Sequence, residues 1–212
     1  ISELRWRYNP GPIARSLITL ARDHSECPAR IAALYASMTV PFFVGNRTII
    51  AGQSLDTMTD ARYRGNGLFV RLAETTYRSA QQQNIGLIYG FPNSSSAHGF
   101  FEKLKWARLD PIPFLIKPLS TGYFVRQLFQ RFGISDSWAR IGDFPLSAID
   151  ADEDSSITTE HPTEFAAEYD VLWQSLRPLL GLGVDRSAKY MNWRLVQHPE
   201  ARYEIRSVTT NG

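Results

Sequence analysis

The stretch Arg62-Tyr63-Arg64-Gly65-Asn66-Gly67 follows a β-rich run, Arg47–Thr59, and precedes a segment whose apolar residues recur with the period of a helix. A strand, a glycine turn and a helix N-terminus together present unpaired backbone N–H groups and the positive end of the helix dipole at one point. Gly65 and Gly67 allow an anion close to the backbone because glycine adopts conformations that other residues avoid. The junction therefore predicts a site for a phosphate-bearing ligand, with the two arginines of the stretch as cationic donors beside it.

Two common nucleotide-binding motifs do not fit this turn. The dinucleotide fingerprint needs a further glycine where the chain has Val70, and the Walker A loop needs a lysine where the chain has Leu68. The pattern that remains, Arg62-x-x-Gly65-x-Gly67, resembles motif A of the GNAT superfamily of acyl-CoA-dependent N-acetyltransferases, in which this turn holds the pyrophosphate of coenzyme A. A surface turn that only caps a helix is the alternative interpretation of the same six residues.

Composition is that of a globular protein with a buried core. The chain has 212 residues, of which 43% are hydrophobic and 21% are charged. A net charge of +2 gives no general case for nucleic-acid binding, and no apolar run approaches the ~20 residues of a membrane span. The single Cys27 excludes an internal disulfide and favours a reducing compartment, here the cytoplasm. No metal site is predicted. The start at Ile1, in what resembles the end of a helix, indicates a fragment.

The hydrophobic pattern predicts an α/β chain. Gly45-Asn46 is a hairpin signal, so the strands on either side of it should be antiparallel. A helix that crosses between two strands makes those strands parallel, which applies to the strands before and after the helix that follows the glycine turn. The predicted elements are strands 16–22, 29–44 (broken at Pro41) and 47–59, a helix from 68 to about 84, strand 85–91, a short helix that carries Phe100 to Trp106, and strand 113–119.

This order matches the GNAT core from its second strand onward, over roughly residues 4–119. Asn93 stands where the family often places an asparagine that contacts coenzyme A. The segment Phe101-Glu102-Lys103-Leu104-Lys105-Trp106 resembles the family's Tyr-Glu-Lys-Leu-Gly-Phe helix end, and Tyr89-Gly90-Phe91-Pro92-Asn93 resembles members associated with bacterial polysaccharide genes. The resemblance implies a GNAT-like mixed, mostly antiparallel sheet flanked by helices.

The resemblance also implies acetyl-CoA as cosubstrate. In the family, a splayed strand before the motif offers backbone groups to the pantetheine arm and the thioester carbonyl, and a backbone N–H aimed at the developing oxyanion stabilises it. Thr57 and Thr59 are otherwise ordinary β-formers on one strand face. The implied cofactor-binding residues are Thr57, Met58, Thr59, Arg62, Tyr63, Arg64, Gly65, Asn66, Gly67, Leu68 and Asn93.

The proton donor for the leaving thiolate departs from the family pattern. Many members use a tyrosine where this chain has Phe101, which has no proton to give. His98 is one substitute, because imidazole titrates near neutral pH, although a histidine in a serine-rich turn is more often solvated or a local cap. Tyr89 is another, although a strand tyrosine usually lies in the core. Solvent is the third source of the proton.

The base that accepts the amine proton is equally open. Asp56 lies on the strand that should line the site and could act through a water molecule, although alternation would point it away from Thr57. Asp60 can simply cap the turn, and Glu74 on the following helix should face solvent. Proximity of the two reactants then supplies most of the catalysis.

The second half of the chain suggests an internal repeat. Trp6-Arg7-Tyr8-Asn9-Pro10 recurs as Trp193-Arg194-Leu195-Val196-Gln197-His198-Pro199, in each case at a helix end before a strand. Helices are predicted at 162–176 and 185–197, with a strand near Ile157 and another at 203–208. The predicted domains are a GNAT-like core lacking its first strand and helices (1–120), a helical connector with a docking or membrane-surface helix at 123–133 (121–150), and the start of a second GNAT-like repeat, or a segment that completes the first (151–212).

Two functions fit these features. The first is an N-acyltransferase that moves an acetyl group from acetyl-CoA to the amine of a small molecule, with an amino sugar as one acceptor. The second is a non-catalytic GNAT-fold module that binds a CoA-like ligand or a partner domain, which Phe101 keeps open. A second GNAT-like domain in cis or a homodimer is the expected protein partner, and no nucleic acid is expected.

Overall fold

The computed structural model describes residues 2–8, 16–25, 27–110, 115 and 157–210. The chain divides into two compact units, one with Ile1–Arg108 and Glu160–Ser207, the other with Leu109–Thr159 and Val208–Gly212. In chain order the elements are α1 (Ser2–Tyr8), β1 (Leu17–Asp23), β2 (Arg30–Val44), β3 (Arg47–Thr59), a 3-10 turn (Ala61–Tyr63), α2 (Leu68–Gln82), β4 (Leu87–Tyr89), α3 (Ser94–His98), a π-helical turn (Gly99–Lys103), β5 (Ile157–Glu160), α4 (Glu168–Leu180), β6 (Leu182–Val184), α5 (Ala188–Met191), a second π-helical turn (Asn192–Val196) and β7 (Ser207–Thr210).

The main sheet is mixed and mostly antiparallel, as the resemblance implied. Its order is β1-β2-β3-β4, and β6 also pairs with β2. The pairs β1–β2, β2–β3 and β2–β6 are antiparallel, whereas β3–β4 is parallel because α2 crosses between them. The Gly45-Asn46 hairpin is confirmed, with Val44 opposite Arg47. β5 and β7 form a separate two-stranded sheet.

The predicted break at Pro41 is wrong. β2 runs without interruption from Arg30 to Val44, and Pro41 stands opposite Ile50 of β3. Along its other edge β2 pairs with β1 as far as Ser37 and with β6 from Phe42, so Pro41 falls in the gap between those two partners. Proline is tolerated at such an edge because the ladder needs no N–H donor there. The Pro41 carbonyl still accepts the Asp185 N–H over 2.9 Å.

Alternation along β2 separates two apolar layers. On one face, Ala33 and Tyr35 pack with Leu72, Ala73 and Phe100, which come from α2 and the first π-helical turn. On the other face, Met38, Val40 and Phe42 pack with Ala51 and Trp193, and Trp6 and Tyr8 of α1 lie against this cluster. The helix predicted from residue 68 is thus confirmed, and its buried residues Leu72, Ala73, Thr76 and Ala80 recur with helical spacing.

The helix predicted at 162–176 starts later, at Glu168, and ends at Leu180. The Asn192 side chain takes both backbone groups of Phe165, accepting its N–H and donating to its carbonyl, each over 2.8 Å. These bonds hold Phe165 outside the helix. Gly181, with a φ of 72°, ends the helix, and the short strand β6 that follows was not predicted.

The remaining elements differ mainly in their ends. The strand predicted at 85–91 spans Leu87–Tyr89, the helix predicted at 185–197 is α5 with its π-helical turn, and the strand predicted at 203–208 is Ser207–Thr210. The strand predicted at 113–119 and the segment 121–156, with the helix predicted at 123–133, lie outside the described residues apart from Leu115. None of the helices in the described ranges has the length and apolar character needed to cross a membrane.

Candidate functional site

A groove opens where β3 and β4 separate. Their last paired residues are Gln53 and Tyr89, where β4 ends, whereas β3 continues to Thr59 without β4 as a partner. The groove between them has a volume of about 460 Å³. Its lining residues are Ser54, Leu55, Asp56, Thr57, Met58, Thr59, Phe69, Gly90, Phe91, Pro92, Asn93, Ser95, Ser96, Gly99 and Phe100.

The wall that β3 contributes contains a β-bulge. Leu34 stands opposite Met58 and Ala36 opposite Leu55, so Asp56 and Thr57 together face a single residue of β2. Asp56 has a left-handed φ of 48°. The extra residue breaks the ladder and re-aims the backbone groups of the bulge, which lines the groove. This bulge interrupts the alternation from which the sequence placed Asp56 and Thr57 on opposite strand faces, and both residues line the groove.

Asp56 is held from outside the sheet by α1. Arg7 Nη1 and Tyr8 Oη both donate to Asp56 Oδ2, each over 2.6 Å. Burial and the hydrogen bond to Asp56 raise the pKa of Tyr8, so its hydroxyl stays protonated and able to donate. Among the described residues that line the groove, Asp56 is the only one with an ionisable side chain.

The glycine turn forms a second cavity next to the groove. Gly65 and Gly67 have φ values of 83° and 69°, and a Cβ added to either would meet open space. The first intrahelical bond of α2 runs from the Arg71 N–H to the Gly67 carbonyl, so the N–H groups that precede it point out of the helix end. This cavity of about 320 Å³ is lined by Thr59, Tyr63, Arg64, Gly65, Gly67, Leu68, Phe69, Val70, Ser95, His98, Gly99 and Lys103.

The two arginines of the motif have different surroundings. Arg64 lines the cavity, and its Nε donates to the Thr59 carbonyl over 3.4 Å. Arg62 instead pairs with Asp60, with Nη2 and Oδ2 3.1 Å apart, and this hydrogen bonding lowers the pKa of Asp60. Asp60 also caps the 3-10 turn by accepting the Arg62 N–H.

Residues 5–108 match the family model described as an acetyltransferase (GNAT) domain. Residues 5–108 are a GNAT acetyltransferase domain. Comparison with curated protein sequences gives no significant match.

Solved structures with a similar fold include several acetyltransferases. Glucosamine-6-phosphate N-acetyltransferase from Arabidopsis thaliana is 19% identical, with a TM-score of 0.41 over 48% of this chain and 66% of that chain. A predicted acetyltransferase from Clostridium acetobutylicum, solved with acetyl-CoA, is also 19% identical, with a TM-score of 0.41 over 48% of this chain and 64% of that one. Ribosomal-protein-alanine N-acetyltransferase from Brucella melitensis is 14% identical, with a TM-score of 0.38 over 48% and 70%. The matched region spans less than two thirds of the first and second of these proteins.

The GNAT domain gathers most of the predicted ligand residues at these two cavities. Thr57 and Met58 line the groove, Thr59 lines both cavities, and Arg64, Gly65, Gly67 and Leu68 line the turn cavity. Tyr63 lines the turn cavity as well, and its hydroxyl donates to Asp23 over 2.6 Å. Asn66 lies in the turn, where its side chain donates to the Tyr63 carbonyl over 3.3 Å.

Three predicted residues have contacts or positions that differ from those expected for their roles. Asn93 lines the groove, but its side chain caps α3 by accepting the Ser96 N–H over 3.0 Å. His98 lines the turn cavity rather than the groove. Tyr89 donates to Gln53 over 3.3 Å and packs beside Phe42, and burial raises its pKa.

Sequence reasoning missed four polar residues at the site. Lys103 lines the turn cavity and belongs to the Phe101–Trp106 segment, whose lysine was a usable signal. Arg7 and Tyr8 belong to the Trp-Arg repeat, but nothing in the sequence linked them to Asp56. Ser54 lines the groove and starts a hydrogen-bonded row of side chains, from Ser54 through Tyr35 and Tyr77 to the Trp106 indole, with steps of 2.9, 3.1 and 2.9 Å.

Proposed function

We propose that this GNAT domain transfers an acetyl group from acetyl-CoA to the amine of a small molecule. The observation that carries the proposal is that the groove and the turn cavity share a boundary. Thr59, Phe69, Ser95 and Gly99 line both. One elongated ligand therefore fits with an anionic group at the glycine turn and its other end in the groove beside β3.

The chemistry of each cavity suits the matching part of acetyl-CoA. At the turn, outward N–H groups, the dipole of α2 and the cations Arg64 and Lys103 favour a pyrophosphate. In the groove, Phe69, Phe91 and Phe100 offer apolar surface to the arm, and β3 beyond Gln53 has backbone groups free of β4. The cosubstrate supplies a thioester carbonyl that a neutral amine can attack.

The residues of the groove then hold the reactants and stabilise charge. Backbone N–H groups of the bulge, near Thr57 and Met58, face the developing oxyanion and stabilise it electrostatically. The C–N bond forms as the C–S bond breaks, so the amine loses one proton and the thiolate gains one. Asp56 is the ionisable residue that lines the groove and is our candidate to accept the amine proton. His98 lines the turn cavity instead, and Tyr89 packs in the apolar layer of Met38, Val40 and Phe42. The thiolate then takes its proton from solvent.

We propose that the acceptor substrate is a small-molecule amine, and an amino sugar is the first compound to test. The groove presents hydroxyl and amide groups from Ser54, Asn93 and Ser96, which suit a polyhydroxylated acceptor. The polysaccharide-gene resemblance of residues 89–93 points the same way. The exposed free thiol of Cys27 favours a reducing compartment such as the cytoplasm.

For the domain organisation, we favour the alternative in which residues 160–207 complete the first unit. Those residues belong to the same compact unit as residues 1–108, and β6 extends the edge of β2. The expected second GNAT-like repeat, or a homodimer, stays a prediction.

The second candidate function is a GNAT-fold module that binds a CoA-like ligand without catalysis. Phe101 stands where the family places its acid, and its ring lies 5.7 Å from the Arg108 guanidinium carbon, outside the groove lining. Calorimetric titration of the chain with acetyl-CoA, followed by turnover assays on a panel of amines, separates the two. Binding with acetylation of an amine supports the enzyme, binding without turnover supports the module, and no binding refutes both.

A further inference from the structure

An aspartate in the middle of β3 has a left-handed backbone. Asp56 has a φ of 48°, and the other described non-glycine residues with positive φ are Asn84 and Lys105. Those two follow the ends of α2 and of the first π-helical turn, where left-handed residues commonly end a helix. Asp56 lies at no helix end. A conformation that L-residues avoid persists only where the surrounding structure holds it, and such residues cluster at functional sites.

Two consecutive side chains of α1 supply the hold on Asp56. Arg7 and Tyr8 donate to the same carboxylate oxygen, Oδ2, over 2.6 Å each. Arg7 also pairs with Glu3 one turn earlier in α1, which fixes the guanidinium in the direction of Asp56. Tyr8 packs in the apolar layer that contains Leu55, next to Asp56 in the chain. Arg7 and Tyr8 therefore form a clamp that joins α1 to the bulge.

We propose that Arg7 and Tyr8 are positioning residues of acyl transfer, which hold Asp56 in its left-handed conformation and so keep the bulge N–H groups directed at the thioester carbonyl. The φ and ψ angles of one residue set the direction of the next peptide group. Return of Asp56 to the extended region would turn the following N–H away from the groove. This inference rests on the proposed function of the groove.

The role assigned to the Asp56 backbone transfers no proton, so experiments can separate it from the proposed role of the Asp56 carboxylate as base. It also predicts a ligand-specific effect. The clamp should matter for acetyl-CoA, whose carbonyl meets the bulge, and hardly at all for CoA, which has no such carbonyl.

The test compares the Kd of acetyl-CoA with that of CoA by calorimetry for the 212-residue chain. The variants are Arg7→Gln/Tyr8→Phe and, as matched control on the same helix, Arg5→Gln. We expect the double variant to bind acetyl-CoA about fivefold more weakly and CoA within about twofold of wild type. The control should bind both ligands like wild type.

A substitution at Asp56 then separates positioning from general loss of structure. Glycine adopts positive φ without support, so adding Asp56→Gly to the double variant should return the Kd of acetyl-CoA to within about twofold of wild type. Asp56→Ala in the same background should not. General destabilisation would not be reversed in this way, because glycine also favours the unfolded chain.

Three outcomes contradict the inference. These three, which leave the proposed function intact, are equal affinity of wild type and double variant for acetyl-CoA, an equal loss of affinity for both ligands, and a failure of the glycine rescue. A wild-type chain that binds neither ligand overturns the proposed function and this inference with it. Retained turnover in Asp56→Asn, where an amine substrate is found, would support positioning over proton transfer.

Discussion

Trp6 of α1 stacks on Trp193 of the second π-helical turn, with ring centroids 4.5 Å apart and an angle of 13° between the planes. The Trp6 indole also donates to the Trp193 carbonyl over 3.2 Å, and the Arg194 guanidinium lies over the Trp6 ring. The same two tryptophans correspond to each other in the internal repeat, which relates residues 6–10 to residues 193–199. Because Trp6 belongs to the helix that carries Arg7 and Tyr8, the stack connects the C-terminal segment to the clamp on Asp56.

Removal of Trp193 should therefore destabilise the unit. Trp193 is only 8% exposed, and its ring packs on Trp6 and Tyr190. We expect Trp193→Ala to lower the free energy of unfolding by about 3 kcal/mol, through lost burial and the cavity left behind. Urea denaturation measures this change. Leu179→Ala, at a side chain 80% exposed, is the control and should change stability little. Similar values for the two variants would contradict a packing role for the stack.

Gly67 should be essential for the anionic end of the ligand. Gly67→Asp places a carboxylate at the helix N-terminus beside the proposed pyrophosphate, and we expect it to abolish measurable acetyl-CoA binding in calorimetry. Gly67→Ala, whose Cβ meets open space, should weaken binding less although alanine tolerates positive φ no better than aspartate does. A larger loss of acetyl-CoA affinity in Gly67→Asp than in Gly67→Ala would show that charge repulsion contributes beyond backbone strain.

The hairpin glycine offers the matched control for Gly67. Gly45 also has positive φ, at 54°, with open space around its Cβ position. Gly45→Asp should lower stability without changing acetyl-CoA affinity. If Gly67→Asp bound acetyl-CoA as wild type does, the glycine turn would not be the pyrophosphate site.

Gly99 sets the shape of the boundary between the two cavities. A Cβ at this position would lie 2.7 Å from Phe69 Cε1, and Phe69 lines both cavities. Gly99→Ala should push the Phe69 ring into the ligand path and raise the Kd of acetyl-CoA about tenfold. Adding Phe69→Leu should recover part of that loss, because the shorter side chain gives room. An unchanged Kd in Gly99→Ala would mean that the ligand does not pass Phe69.

Local sequence patterns were sufficient for the central part of the fold. Gly45-Asn46 specifies its hairpin because glycine supplies the positive φ that the turn needs, and the buried stripe of α2 follows from helical spacing alone. The turn cavity was predictable for the same reason, since Gly65 and Gly67 directly precede the N-terminus of α2 in the chain. Each of these features involves residues close together in the chain.

The features that were not predicted depend on contacts distant in sequence. Pro41 stays within β2 only because β1 ends before it and β6 begins after it. Phe165 stays out of α4 because Asn192 takes its backbone groups. The link from Arg7 to Asp56 spans 49 residues and depends on the docking of α1. No local pattern records such contacts.

The glycine turn is also tied to β1 through a bond that depends on pH. The Tyr63 hydroxyl donates to Asp23 Oδ2 over 2.6 Å, and the Ser25 N–H donates to Oδ1 over 2.9 Å. These bonds lower the pKa of Asp23 from its ordinary 3.8 to about 2, with the Tyr63 bond as the larger cause. A carboxylate whose pKa is lower in the folded state contributes stability above its unfolded pKa and loses that contribution as pH falls through the folded value.

The Tyr63→Phe variant isolates this contribution. We expect it to be less stable than wild type by a constant margin from pH 7 down to about pH 4, with the margin shrinking between pH 4 and pH 2 as Asp23 is protonated in the folded wild type. Urea denaturation of both proteins across this range gives the difference in free energy of unfolding at each pH. Thr57→Ser, a mild change on β3, which does not pair with β1, should differ from wild type by a margin that is independent of pH. A Tyr63→Phe margin of the same size at pH 2 as at pH 7 would show that the tyrosine stabilises the turn by packing rather than through Asp23.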